Sequence, residues 1–154
     1  MKFLLTKEVG KLARWLRILG YDAVYYREDN TSRALLSALR ESRVIITRNK
    51  VFFDKVSVKS VYLTQEKIKD QLGNVIRQLD LKIDEGMIFT RCVLCNEDLG
   101  KIKKEEVKHR VPEYVFKTQD KFMECRVCQR IYWPGSHWEN IRRYVQEIAH
   151  EIKN

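Results

Sequence analysis

The sequence has few residues that break regular structure, with two prolines and six glycines among 154 residues. No apolar run approaches the roughly 20 residues that a membrane-spanning helix needs, so we expect no membrane association. A glycine-rich phosphate loop, a dinucleotide-binding fingerprint and a Ser-His-Asp arrangement are all missing, which disfavours nucleotide-dependent enzymes and serine hydrolases. No secretory signal is recognisable at the start of the sequence, and we therefore expect a cytoplasmic protein.

Negative charge is also scarce. The chain carries 21 acidic residues against 30 lysines and arginines, which gives a formal net charge of +9. A protein this basic attracts polyanions, and nucleic acid is the commonest of them. A heat-adapted chain rich in surface ion pairs is the alternative, but ion-pair networks do not require an excess of one sign. The charge therefore favours a nucleic-acid partner.

Cysteine is limited to four residues, which form two C-x-x-C turns at Cys92 and Cys95 and at Cys125 and Cys128. Two such turns supply the four thiolates of a tetrahedral zinc site. A site with four protein ligands leaves no position open for a substrate, so we expect Zn²⁺ to have a structural role. Two disulfides are the alternative, but the expected cytoplasmic location favours the metal.

Strands and helices alternate in the first half of the chain. Short apolar segments typical of buried strands occur at residues 2–6, 23–26, 43–47 and 61–63. Helical spacing of apolar residues follows the first, second and fourth of them, which predicts an α/β fold with a parallel sheet flanked by helices. The pattern changes after Leu81. We place a domain boundary near residue 85, with an α/β domain at 1–85 and a zinc ribbon with a C-terminal helix at 86–154.

Several of these segments resemble the Mut7-C RNase domain family. The resemblance rests on GKLARWLR at residues 10–17, on LGYD at 19–22, on ITR at 46–48 and on RIYWPGSHW at 130–138. It covers nearly the whole chain. It implies a PIN-like domain, similar to metal-dependent ribonucleases, fused to a zinc ribbon.

The resemblance further implies carboxylates at the ends of the parallel strands, which bind the Mg²⁺ or Mn²⁺ that activates water for phosphodiester cleavage. This chain has Thr6 and Asn49 where similar sequences have aspartates. A hydroxyl and an amide add no negative charge for a hard cation. The candidate catalytic residues that remain are Glu8, Asp29 and Asp54, and a divalent cofactor is expected only if nuclease activity is retained.

Basic residues cluster near the expected edge of the sheet and between the two cysteine turns. The candidate nucleic-acid-binding residues are Lys7, Lys11, Arg14, Arg17, Arg48 and Lys50 in the first domain and Lys104 and Arg110 in the second. Without the acids of a metal centre, the first group forms a phosphate-binding surface. A solvated, functionally silent surface is the alternative for each residue.

Three functions follow from these observations. The first is an RNA-binding protein with a degenerate PIN-like nuclease centre, whose partner is structured RNA such as ribosomal RNA, or the ribosome itself. The second is a divalent-metal-dependent endoribonuclease with an altered carboxylate centre. The third is a protein-protein interaction module. The sequence favours the first, and leaves open whether the protein is an enzyme and what its oligomeric state is.

Overall fold

The computed structural model describes residues 1–153 and divides the chain into two compact units. The first unit is Met1–Asn96, and the second begins at Glu97. The first is an α/β unit with a parallel sheet, and the second contains a small antiparallel sheet followed by a long helix. The predicted fold class is confirmed.

The first unit alternates strands with helices along the chain. Its elements are β1 (Lys2–Leu5), α1 (Gly10–Ile18), β2 (Asp22–Tyr25), α2 (Thr31–Arg40), β3 (Val44–Thr47), α3 (Lys50–Phe53), β4 (Ser60–Tyr62) and α4 (Ile68–Leu79). A turn of 3-10 helix at Lys7–Val9 leads from β1 into α1. The four strands are parallel, in the order β2-β1-β3-β4.

The two central strands are apolar because helices cover both faces of the sheet. Leu4 and Leu5 in β1, like Ile45 and Ile46 in β3, are fully buried. Continuous apolar runs of this kind are typical of parallel strands that have no solvent-exposed face. Helix α2 packs on β1, and α1 packs on β2 and on α4.

The first unit continues beyond residue 85 because the following segment is hydrogen bonded to it. The backbone N–H of Phe89 donates to the carbonyl of Ile18 at 2.8 Å. The Asn96 side chain accepts from the N–H of Ala23 at 2.8 Å and donates to Asp22 Oδ1 at 2.7 Å. The contacts of the first unit thus reach Asn96, and the domain boundary near residue 85 stays a prediction.

The second unit has three short antiparallel strands. Its elements are β5 (Gly100–Ile102), α5 (Glu113–Thr118), β6 (Phe122–Glu124), β7 (Ile131–Tyr132) and α6 (Ser136–Lys153). Val107, Val115 and Phe122 form its small apolar core. In the part of the chain that the structure describes, no helix is both long and apolar enough to cross a membrane.

Candidate nucleic-acid cleft and metal centre

Two threonines meet where β1 and β3 end. Thr6 follows β1 and Thr47 closes β3, and these strands are parallel neighbours, so both residues lie at the same edge of the sheet. Their hydroxyl oxygens are 2.8 Å apart, and both residues are buried. The Thr6 hydroxyl also lies 2.5 Å from the carboxylate of Glu8 and donates a hydrogen bond to it. Two neutral hydroxyls thus occupy the sheet edge, next to the carboxylate of Glu8.

Asn49 is engaged in local structure. Its side-chain oxygen accepts from the backbone N–H of Phe52 at 3.0 Å and caps the start of α3. Its own N–H donates to the Thr47 hydroxyl at 3.0 Å. The two positions at which the family resemblance implies aspartates, 6 and 49, therefore both carry neutral side chains, and the Glu8 carboxylate is the charged group bonded to Thr6.

The three candidate catalytic acids each have a separate partner. Glu8 accepts from Thr6, Asp29 forms an ion pair with Lys7 at 2.5 Å, and Asp54 forms one with Lys50 at 2.5 Å. Among the described residues, the four cysteines make up the only group of three or more metal-ligating side chains. The structure does not bring the three acids together, and their catalytic role stays a prediction.

An open cleft of about 840 Å³ lies at this edge of the sheet. It is lined by the start of α1, the end of β2, the residue after β3, the start of α4 and the first cysteine turn. Its charged lining residues are the cations Lys7, Lys11, Arg14, Arg17, Arg27, Arg48 and Lys67 and the acids Glu8 and Glu66. Cations outnumber acids seven to two, so the cleft attracts anions.

Three of the predicted cations are available to a ligand. Lys11 and Arg14 are exposed on α1, and Arg48 is half-buried after β3. Within residues 1–153 none of the three forms an ion pair with a carboxylate. By contrast, Lys7 and Lys50 are each paired with a carboxylate. Asp29 raises the pKa of Lys7 through a hydrogen bond and through its negative charge. Lys50 forms an ion pair with Asp54, and its ammonium group also lies 5.4 Å from the centre of the Phe53 ring.

Arg17 differs from the free phosphate-binding cation that the sequence predicted. Its side chain is buried, its Nε donates to the carbonyl of Ala23 at 2.8 Å, and its Nη1 donates to the carbonyls of Val93 and Leu94, both at 2.9 Å. Burial lowers the pKa of the guanidinium, against the opposing effect of Cys92. Arg17 thus holds the first cysteine turn in place, and its role in nucleic-acid binding stays a prediction.

The two candidate cations of the second unit are paired within that unit. Lys104 forms an ion pair with Asp120 at 2.8 Å and lies 5.3 Å from the centre of the Phe116 ring. The hydrogen bond from Lys104 lowers the pKa of Asp120. Arg110 forms an ion pair with Glu124 and donates to the carbonyl of Gln129 at 3.0 Å. Their role in nucleic-acid binding stays a prediction.

The four cysteine thiols form a compact cluster. None is in a disulfide, and the four Sγ atoms of Cys92, Cys95, Cys125 and Cys128 all lie within 4.8 Å of one another. Zinc–sulfur bonds of ~2.3 Å in a tetrahedron place the sulfurs about 3.8 Å apart, so this arrangement needs little adjustment. The N–H of Cys95 also donates to Cys92 Sγ at 3.4 Å, which stabilises a thiolate. The cluster can hold a zinc ion.

Tyr25, Arg27 and Lys67 also line the cleft, and the sequence interpretation missed them. Tyr25 and Arg27 lie at the end of β2, next to β1 in the sheet, and carboxyl ends of parallel strands meet at one edge. That rule could have identified the first two. Lys67 immediately precedes α4, and no local signal marks it.

Comparison with known families gives one match. The model of the family described as the Mut7-C RNAse domain matches residues 1–145. Comparisons with curated proteins and with solved structures found no match. The match includes the sheet, the cleft and all four cysteines.

Proposed function

We propose that this chain, which belongs to the Mut7-C RNase domain family, is an RNA-binding protein with a degenerate nuclease centre. Membership indicates a ribonuclease-like or otherwise RNA-related role. The observation that carries the finer proposal is the basic cleft at the edge of the sheet where Thr6, Thr47 and Asn49 supply neutral side chains.

The charge of the cleft favours phosphate over a divalent cation. Protein sites for Mg²⁺ use one or two carboxylates together with substrate phosphates, and Glu8 and Glu66 are the only carboxylates that line the cleft among the described residues. The seven cations around these two acids repel a divalent ion. Phosphate groups need several cations that are not already neutralised, and Lys11, Arg14 and Arg48 meet that requirement. The same edge can therefore bind an RNA backbone without cleaving it.

The partner that we propose is structured RNA, with ribosomal RNA or the ribosome as the first candidate. The excess of positive charge over the whole chain supports a large polyanion. We propose a structural role for Zn²⁺ at the four cysteines, because four thiolates leave no open coordination position.

An endoribonuclease with an altered centre is the second candidate. One observation favours it: the Glu8 carboxylate lies in the cleft, where a cation-bound water could be positioned. In that case Glu8 would supply a ligand for Mg²⁺ or Mn²⁺, and RNA bound to the cations would be cleaved.

One experiment separates these functions. The purified protein is incubated with structured cellular RNAs and with ribosomes, in Mn²⁺ or in EDTA, and retention and cleavage are scored together. Zinc content is measured in both conditions, so that a loss of the cysteine-bound metal is recognised. Retention without cleavage supports the binding protein. Cleavage that requires Mn²⁺ and disappears in Glu8→Gln contradicts it, and absence of any RNA retention would favour a protein-protein module.

A further inference from the structure

An aromatic ring and a guanidinium lie together in the cleft. The Tyr25 ring lies at the end of β2, and the guanidinium carbon of Arg27 is 5.4 Å from the centre of that ring. The Tyr25 hydroxyl donates to the carbonyl of Lys7 at 3.2 Å, which fixes the ring against the turn that leads into α1. Both flat groups can stack with a nucleobase.

Gly10 makes room for this ring. A Cβ atom at position 10 would lie 2.8 Å from Tyr25 Cζ and 2.9 Å from Cε2, closer than carbon atoms approach without a shift. The backbone of Gly10 is helical, with φ −60°, so the position does not need glycine for its conformation. Glycine here allows the tyrosine ring to lie directly on the start of α1.

The dimensions of the cleft limit what can enter it. A volume of about 840 Å³ falls within the range of roughly 300 to 1,000 Å³ that is typical of small-molecule sites. Double-stranded RNA is bound on wider surfaces that follow its grooves, because its bases are paired and stacked inside the helix. An unpaired segment can present the face of a base to the pair of flat groups formed by Tyr25 and Arg27.

We infer that the cleft binds unpaired nucleotides of RNA, with a base stacked on the exposed Arg27 guanidinium, which the Tyr25 ring supports, and the neighbouring phosphates on Lys11, Arg14 and Arg48. This inference rests on the proposed RNA-binding function and deepens it. The structured RNA that the protein binds would be contacted at a loop, a bulge or an end. The contact is to the π-face of a base and to phosphate, so little sequence preference is expected.

The test compares a fluorescently labelled single-stranded 12-mer RNA with the blunt duplex formed from it and its complement. Affinities of the full-length protein are measured by fluorescence anisotropy at several salt concentrations. The variants are Gly10→Ala and Tyr25→Ala. Gly10→Ala displaces the ring without changing any charge, and alanine suits a helical position, so this variant is expected to fold. Tyr114→Ala is the matched control, because it removes an exposed tyrosine ring outside the cleft.

We expect the single strand to bind at least tenfold more tightly than the duplex. Loss of one stacked base, worth ~1–3 kcal/mol, should weaken single-strand binding at least about fivefold in Tyr25→Ala and Gly10→Ala and leave duplex binding unchanged. Equal affinity for both RNAs, or unchanged single-strand binding by Tyr25→Ala, would overturn this inference and leave the proposed function standing. Failure to bind either RNA would overturn both.

Discussion

The hydroxyl oxygens of Thr6 and Thr47 lie 2.8 Å apart at the ends of two neighbouring parallel strands. This contact is neutral and buried, and it occupies the sheet edge where the family resemblance implies metal-binding carboxylates. A carboxylate at position 6 would be buried next to Glu8, and two adjacent anions repel unless a cation lies between them.

We therefore expect Thr6→Asp to destabilise the protein by about 2 kcal/mol in the absence of divalent metal, since it buries an unpaired charge. Mn²⁺ should recover part of this loss, because a ligand that binds only the folded state stabilises it. Thermal unfolding with and without Mn²⁺ measures both effects. Thr6→Ser, which keeps the hydroxyl, is the control. A stable Thr6→Asp variant with no response to Mn²⁺ would contradict the account of this edge.

Replacing Arg17 should disturb the first cysteine turn. Arg17→Met removes the hydrogen bonds to Ala23, Val93 and Leu94 and leaves their carbonyls without a donor, at an expected cost of about 3 kcal/mol. Chemical denaturation measures this loss, and zinc release to a colorimetric chelator should become faster. Arg14→Met changes an exposed residue of the same helix and should alter neither. Equal stability of the two variants would show that Arg17 is dispensable.

Removal of a cysteine should release the metal. We expect Cys92→Ser or Cys125→Ser to lose Zn²⁺ and to become sensitive to proteolysis in the C-terminal part, since a structural zinc site supplies much of the folding free energy of a small domain. Val127→Ala alters an exposed residue between two ligands and should keep the metal. Zinc analysis and limited proteolysis test this, and full resistance of the zinc-free variants would count against a structural metal.

The stability of the first unit should decrease in acid because of Asp22. Burial disfavours its ionised form, but hydrogen bonds from Arg43 and Asn96 outweigh that effect and lower the pKa. A lowered folded-state pKa means that this contribution is complete above the ordinary aspartate pKa of about 4 and is lost as the pH falls through the folded value.

Denaturation from pH 7 to pH 2 should therefore show a smaller acid-induced loss for Asp22→Asn than for the native chain. Asp70→Asn, at an exposed position of α4, is the control and should follow the native curve. Parallel curves for Asp22→Asn and the native chain would show that this ion pair does not contribute to the pH dependence.

The sequence predicted the elements that repeat a clear pattern. Short apolar runs identified the sheet, because buried parallel strands are apolar throughout. The spacing of apolar residues from Ile68 to Leu79 identified α4, because a long helix repeats the residues of its buried face at a regular interval. Helices α3 and α5 are too short to show a period, and the sequence interpretation did not include them.

The candidate site could be predicted only in part. The spacing of the cysteines indicated their cluster, since each C-x-x-C turn is local. The cleft combines segments that are far apart in the sequence, so Lys67 could not be assigned to it, and Arg17 could not be distinguished from its exposed neighbour Arg14. Burial and hydrogen-bond partners depend on tertiary structure, which a charge pattern does not show.

The most direct test of the proposed function measures RNA affinity against salt for Arg14→Ala with Arg48→Ala, two changes within the cleft. Arg40→Ala with Lys55→Ala removes the same charge from exposed positions outside it. With a single-stranded RNA, loss of two phosphate contacts should reduce the slope of log K against log salt by about 1.4, and only in the variant with changes in the cleft. The native chain should not cleave this RNA in Mn²⁺. Equal slopes for the two variants, or Mn²⁺-dependent cleavage by the native chain, would contradict the account.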